Sequence, residues 1–95
     1  MDTQELGGNI LLTGFSSCDG GTMIILKKII GNYAKTIAES SVDFEKLHIT
    51  LNQKDARFDV EAVVKYGGQS LSSLSSEQNI FVGVDQALKN IVKQN

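Results

Sequence analysis

Two periods divide the chain. From Lys46 to Lys65 apolar and polar residues alternate: Leu47, Ile49 and Leu51 stand between Lys46, His48, Thr50 and Asn52. Beyond them Phe58, Val60, Ala62 and Val64 stand between Arg57, Asp59, Glu61 and Lys65. A period of two sends successive side chains to opposite sides of a strand, so each segment predicts a strand with one apolar face. A four-residue loop over Gln53 to Ala56 would pair Asn52 with Arg57, Leu51 with Phe58, Ile49 with Val60 and Leu47 with Ala62. Every apolar residue then meets an apolar partner. The same register sets His48 opposite Glu61 and Thr50 opposite Asp59. Gly67-Gly68 predicts a second, two-residue hairpin that places Leu71 opposite Val64. Leu74 falls out of step, which predicts a bulge or a strand end near Ser72 or Ser73.

Elsewhere the period is helical. Leu26, Ile29, Ile30, Tyr33 and Ile37 recur at spacings of three and four between Thr22 and Ser40 and form one apolar stripe. Asp19 or Thr22 is the candidate N-cap. The closing segment "NIFVGVDQALKNIVKQN" carries Ile80, Phe81, Val84, Leu88, Ile91 and Val92 on one stripe, with Asn79 or Ser76 as its cap. Near the start, "NILLTGF" has the content of a short buried strand. The order is strand, helix, three antiparallel strands, helix. The first strand, joined to the second through a helix, should lie parallel to it by a right-handed crossover. The expected fold is an α+β two-layer sandwich, a four-stranded sheet (β-α-β-β-β-α) with both helices on one face. Residues 1–8 read as a flexible N-terminus and residues 9–95 as a single α+β domain.

Composition narrows the function classes. Ninety-five residues with 41% apolar content suffice for one core. Nine Lys and Arg against eleven Asp and Glu leave a formal charge of −2, so no global field recruits nucleic acid and an anion-binding role needs a local patch. A lone cysteine rules out an internal disulfide. The longest apolar run, "MIILKKII", is far short of a membrane span, and "MDTQELGG" lacks the pattern of a secretory signal. The expected setting is cytoplasmic, with no membrane partner, no small-molecule substrate, no cofactor and no metal site.

Candidate chemistry is sparse. His48 beside Glu61 could act as a base, but a solvated cross-strand pair explains the same residues. Cys18 precedes a helix, where the dipole can activate a thiol, yet nothing in the sequence joins it to His48. "CDGGT" lacks the lysine and spacing of a P-loop. An enzyme is not expected, and no catalytic residue is assigned. The polar face of the sheet carries no aromatic on which bases could stack. The helices carry Lys27, Lys28, Lys35, Lys89 and Lys93. Side by side, they would form a basic surface able to follow phosphates without reading bases, although solvating lysines give the same pattern.

The order of elements, the paired hairpins and the ending together resemble the ribosome hibernation promoting factor and ribosome-associated inhibitor family. In "NIFVGVDQALKNIVKQ" the residues Asn79, Ile80, Phe81, Gly83, Val84, Asp85, Leu88 and Lys89 follow that family's closing pattern, and "LTGF" is similar to its first strand. The start is also similar to small archaeal proteins with an "SGF…KKI.G" beginning. The resemblance implies a non-enzymatic domain that binds rRNA of the small ribosomal subunit through helix lysines and blocks the decoding channel. The chain departs from the family in carrying fewer basic residues on its helices, with Gly31, Asn32 and Gln86 where charge is expected. The alternative reading is a protein-interaction or homo-oligomerising module of the same fold, pairing through a sheet edge.

Overall fold

The computed structural model describes residues 2–40 and 43–94. Met1 of the expected N-terminal tail and Ser41, Val42 and Asn95 of the expected domain lie outside them. Five strands and two helices follow in the order β1 (Thr3–Leu6), β2 (Ile10–Thr13), α1 (Gly20–Ser40), β3 (Phe44–Lys54), β4 (Arg57–Tyr66), β5 (Gln69–Glu77) and α2 (Ile80–Gln94). The strands form one sheet in sequence order, β1-β2-β3-β4-β5. The α+β class holds, with β2 parallel to β3 as expected and every other pairing antiparallel.

The four-stranded sheet is corrected to five. The stretch read as a flexible tail contains β1, which returns along β2 with Thr3 opposite Thr13 and Leu6 opposite Ile10. Three contacts fix it: Thr3 Oγ1 lies 3.0 Å from Thr13 Oγ1, Ser16 N donates to Asp2 Oδ2 at 2.8 Å, and Gly14 N donates to the Asp2 carbonyl at 3.2 Å. "TQEL" conceals this strand because only Leu6 packs against the core. Polar backbone pairing holds an edge that apolar patterning does not announce.

The β3–β4 hairpin is also corrected. Its loop is the two residues Asp55-Ala56, with Asp55 at φ 56°, rather than four residues. Leu51 therefore faces Val60, Ile49 faces Ala62 and Leu47 faces Val64. A slip of two residues keeps every side chain on its own face, so apolar alternation cannot distinguish the two registers. The irregularity in this ladder falls between Phe44 and Lys46, at the far end from the loop. Gly67 (φ 53°) and Gly68 (φ 78°) form the second turn as expected, and Leu71 faces Val64. No bulge occurs at Leu74. β5 runs on with Leu74 on the open face, 72% exposed, and gives Ser73 and Ser75 to the helix side. Their hydroxyls donate to the carbonyls of Ala87 (2.5 Å) and Gly83 (2.6 Å), so serine occupies the helix-facing positions without breaking the strand.

Both helices cover one sheet face. The core joins Leu26, Ile30 and Ile37 of α1, Val84, Ala87, Leu88 and Ile91 of α2, and Leu12, Leu47, Ile49, Leu51, Val60, Ala62 and Val64 of the sheet. Helix α1 begins two residues before Thr22, and Asp19 is its cap, accepting from Thr22 N at 2.7 Å. Asn79 caps α2, accepting from Phe81 N at 2.8 Å and Val82 N at 3.2 Å. Gly14, at φ 86°, lets the chain leave β2 directly against Leu51: a Cβ there would collide with the Leu51 carbonyl. The next residue, Phe15, is fully buried.

Candidate nucleic-acid interface

The geometry of the two helices follows from a few contacts. Along β5, Ser72, Ser73 and Ser75 bond in turn to Gln94, Ala87 and Gly83, so α2 runs antiparallel to β5. Helix α1 joins parallel strands and must run against both, and β5 runs parallel to β3 through two hairpins. The helices therefore lie roughly parallel, with their N-termini at one end. A cleft of about 200 Å³ at that end is lined by Cys18, Asp19 and Thr22 from the start of α1 and Ile80 from the start of α2. Halfway along, Tyr33 Oη donates to Asp85 Oδ1 at 2.9 Å and ties one helix to the other. Burial, then this bond to a carboxylate, pushes the Tyr33 hydroxyl above its ordinary pKa.

All five expected lysines are exposed, but they do not share one surface. At about 100° per residue, Lys28 and Lys35 lie almost opposite the Leu26, Ile30 and Ile37 stripe and face solvent. Lys27 lies about 120° round from Tyr33, on the flank of α1 that turns away from α2. On α2, Lys89 and Lys93 lie one turn apart and opposite the buried stripe. Lys89 Nζ is 3.9 Å from Asp85 Oδ2, with both side chains more than 40% exposed. A pair this exposed holds its partners weakly and leaves the ammonium open to a stronger anion. Lys28 and Lys35 of α1 and Lys89 and Lys93 of α2 thus lie on the solvent side of the helix layer, as do the carboxylates of Glu39 and Asp85. Ile24 (60% exposed), Ile25 (48%) and Val82 (49%) lie towards its N-terminal end.

The residues considered for catalysis are kept apart. His48 faces Val63 rather than Glu61, and Glu61 faces Thr50. His48 Nε2 bonds Thr13 Oγ1 at 2.8 Å, on the open face of the sheet. Cys18 is on the helix side, where burial, followed by the nearby Asp19 charge, raises its thiol pKa and disfavours the thiolate. Among the described residues no three His, Cys, Asp or Glu side chains gather as a metal site, and no helix is long and apolar enough to cross a membrane.

The tie between Tyr33 and Asp85 was not legible in the sequence, where Tyr33 reads only as part of an apolar stripe. Gly83 was visible as part of the closing pattern, but its packing role was not. A Cβ at that position would lie 3.3 Å from Val60 Cγ2, so its hydrogen lets α2 settle closely on β4.

No protein-family model matches the chain, and no curated protein does. Solved structures do. A ribosomal subunit interface protein from Coxiella burnetii superposes with a TM-score of 0.65 at 12% identity, over 90% of this chain and 89% of that one. The N-terminal domain of Thermus thermophilus Protein Y does so with a TM-score of 0.65 at 11% identity, over 90% of each chain. The resemblance read from the closing helix therefore holds at the level of the fold.

Proposed function

We propose that this chain is a non-enzymatic ribosome-associated domain whose outer helix face binds rRNA phosphates of the small subunit. The fold shared with a ribosomal subunit interface protein supports a ribosomal partner. The observation that carries the site is the bond from Tyr33 to Asp85, which fixes two parallel helices with Lys28, Lys35, Lys89 and Lys93 on one exposed face. Four ammonium groups on rigid elements suit a phosphate backbone. The absence of aromatics on the open sheet face suits binding without base readout. A ribosomal partner would place the protein in the cytoplasm, and occupation of the decoding channel is what the family resemblance implies for translation.

Co-sedimentation with small ribosomal subunits across a salt series tests this. Displacing counterions from four phosphates gives a log–log salt slope of about −3 to −4. Replacing Lys28 and Lys35 with glutamine should reduce that slope by about 2. No sedimentation with subunits at low salt would sink the proposal. The second reading, a self-associating module, is favoured by one observation, the form of the β5 edge.

A further inference from the structure

Strand β5 has a neighbour on one side only. The two-residue turn at Gly67-Gly68 makes Tyr66 and Gln69 a hydrogen-bonded rung, and bonded rungs recur at every second residue. Leu71, Ser73, Ser75 and Glu77 therefore turn their backbone groups towards β4. Ser70, Ser72, Leu74 and Ser76 turn theirs outwards. Two contacts agree with that assignment: Gln94 Nε2 donates to the Ser72 carbonyl at 3.1 Å, and Arg57 Nη2 donates to the Ser76 carbonyl at 2.6 Å.

This edge has little of the usual protection: Arg57 and Gln94 each hold one outward carbonyl, and the strand itself carries none of the usual devices. Natural edges are blunted by lysine, proline, bulges or short length. Here Gln69 to Ser76 holds no charge and no proline, runs without a bulge, and is twice as long as the four-residue β1 at the opposite edge. The uncharged character continues onto the adjoining side of α2. Gly83, Ala87 and Gln94 contact β5 there, and Gln86 donates to Asn90 at 3.0 Å beside them. In the middle of the edge stands Leu74, at 72% the most exposed large apolar side chain among the described residues.

We infer that the β5 edge pairs antiparallel with the β5 edge of a second copy, with the twofold axis at Leu74. This inference does not depend on the ribosomal reading. In this register Leu74 of each copy faces the other, Ser72 faces Ser76, and Ser70 faces Gln78. All of these residues but Gln78 belong to the outward set, so the two edges exchange bonded rungs. The Ser72 and Ser76 carbonyls each keep a second lone pair beside the side-chain donor they already hold. The only charge on the strand, Glu77, falls opposite Leu71, so no like charges meet across the join. The two Leu74 side chains become neighbours on the open face and shield each other from water.

Size sets the strength. Nine residues at about 3.3 Å each give an edge about 30 Å long. With a molecular thickness of 22–23 Å, the flank offers at most about 700 Å² per copy, below the about 800 Å² of a standard interface. The dimer should therefore be reversible and concentration-dependent.

Sedimentation velocity from micromolar to about millimolar protein tests the inference, the range in which a weak, reversible contact is sought. The expected mass rises towards twice 10.3 kDa. Leu74→Lys should weaken association by at least about tenfold, because it sets two like charges on opposite strands. Leu74 is exposed, so this variant should keep the thermal melt of the parent measured at low micromolar concentration. In a Cys18→Ser background, Leu74→Cys should form an intermolecular disulfide on oxidation and Val82→Cys, on the outer helix face, should not. A wild-type chain still monomeric at the top of the range overturns the inference. So does undiminished dimerisation of Leu74→Lys, or cross-linking at Val82→Cys in preference to Leu74→Cys. Because Leu74 is remote from the helix lysines, Leu74→Lys should leave subunit co-sedimentation unchanged. Loss of RNA binding and loss of dimerisation are thus read separately.

Discussion

At the scale of single residues, two polar side chains link stability to pH, and one of them does more than the sequence suggests. Tyr33 occupies the core stripe of α1, yet its hydroxyl reaches Asp85 on α2. Tyr33→Phe keeps the ring and loses the bond, which should cost about 1 kcal/mol of stability in chemical denaturation. The pH signature has a definite sign. The raised tyrosine pKa means that the protonated form is favoured in the folded chain. Its contribution is complete below the unfolded value of 10.0 and is lost as pH rises through the higher folded value. Tyr33→Phe should therefore flatten that part of the alkaline limb of the stability profile. Asp19 works in the opposite sense. Bonds from Thr22 hold its carboxyl below 3.8, so its cap is present above that value and lost as pH falls through the lower folded pKa. Asp19→Asn, itself a good cap, should keep neutral-pH stability and remove this acid-dependent loss. A melt whose acid limb is unchanged in Asp19→Asn would assign the loss to other carboxylates. Both caps were among the sequence candidates because capping is local. The Tyr33 bond spans 52 residues, and no local pattern records it.

At the scale of elements, legibility follows the same division between local and non-local causes. Helices α1 and α2 and strands β3 and β4 were visible because burial repeats along each of them. Strand β1 escaped because backbone pairing and Asp2 hold it rather than a run of apolar residues. The β3–β4 loop was drawn two residues too long because a register slip of two preserves every face. Strand β5 was misjudged at Leu74 because Ser73 and Ser75 pack on α2 through hydroxyls, which an apolar template scores as solvent positions. Backbone approach gives a sharp test of how these elements fit. Gly14 combines a positive φ with contact against the Leu51 carbonyl, so Gly14→Ala should cost at least about 3 kcal/mol in urea unfolding. Ser75→Ala removes one bond and should cost about 1 kcal/mol. Gly14→Ala with near-parental stability would mean that the β2–α1 connection has slack it does not show.

At the scale of the whole molecule, the proposed function requires a chain of net charge −2 to attract a polyanion. The means proposed here is segregation, and it can be separated from general electrostatics by choosing which lysines to remove. Lys28, Lys35, Lys89 and Lys93 share the outer helix face. Lys27 lies on the flank of α1, and Lys46 and Lys65 face each other on the open side of the sheet. Glutamine at Lys35 and Lys89, or at Lys46 and Lys65, changes net charge by the same amount. If the field of the whole molecule governs association, the two double variants lose ribosome affinity equally. If phosphates are contacted at the helix face, only Lys35→Gln with Lys89→Gln should reduce the log–log salt slope, by about 2. The sheet variant should keep the parental slope, and Lys27→Gln should lose less than Lys28→Gln. Glutamine retains the aliphatic stem, and none of these side chains is buried, so the folded state is undisturbed. The local charge on one two-helix face, rather than the net charge, then sets the partner. Equal slopes for the helix and sheet variants would remove the helix face from the binding site and return its lysines to simple solvation.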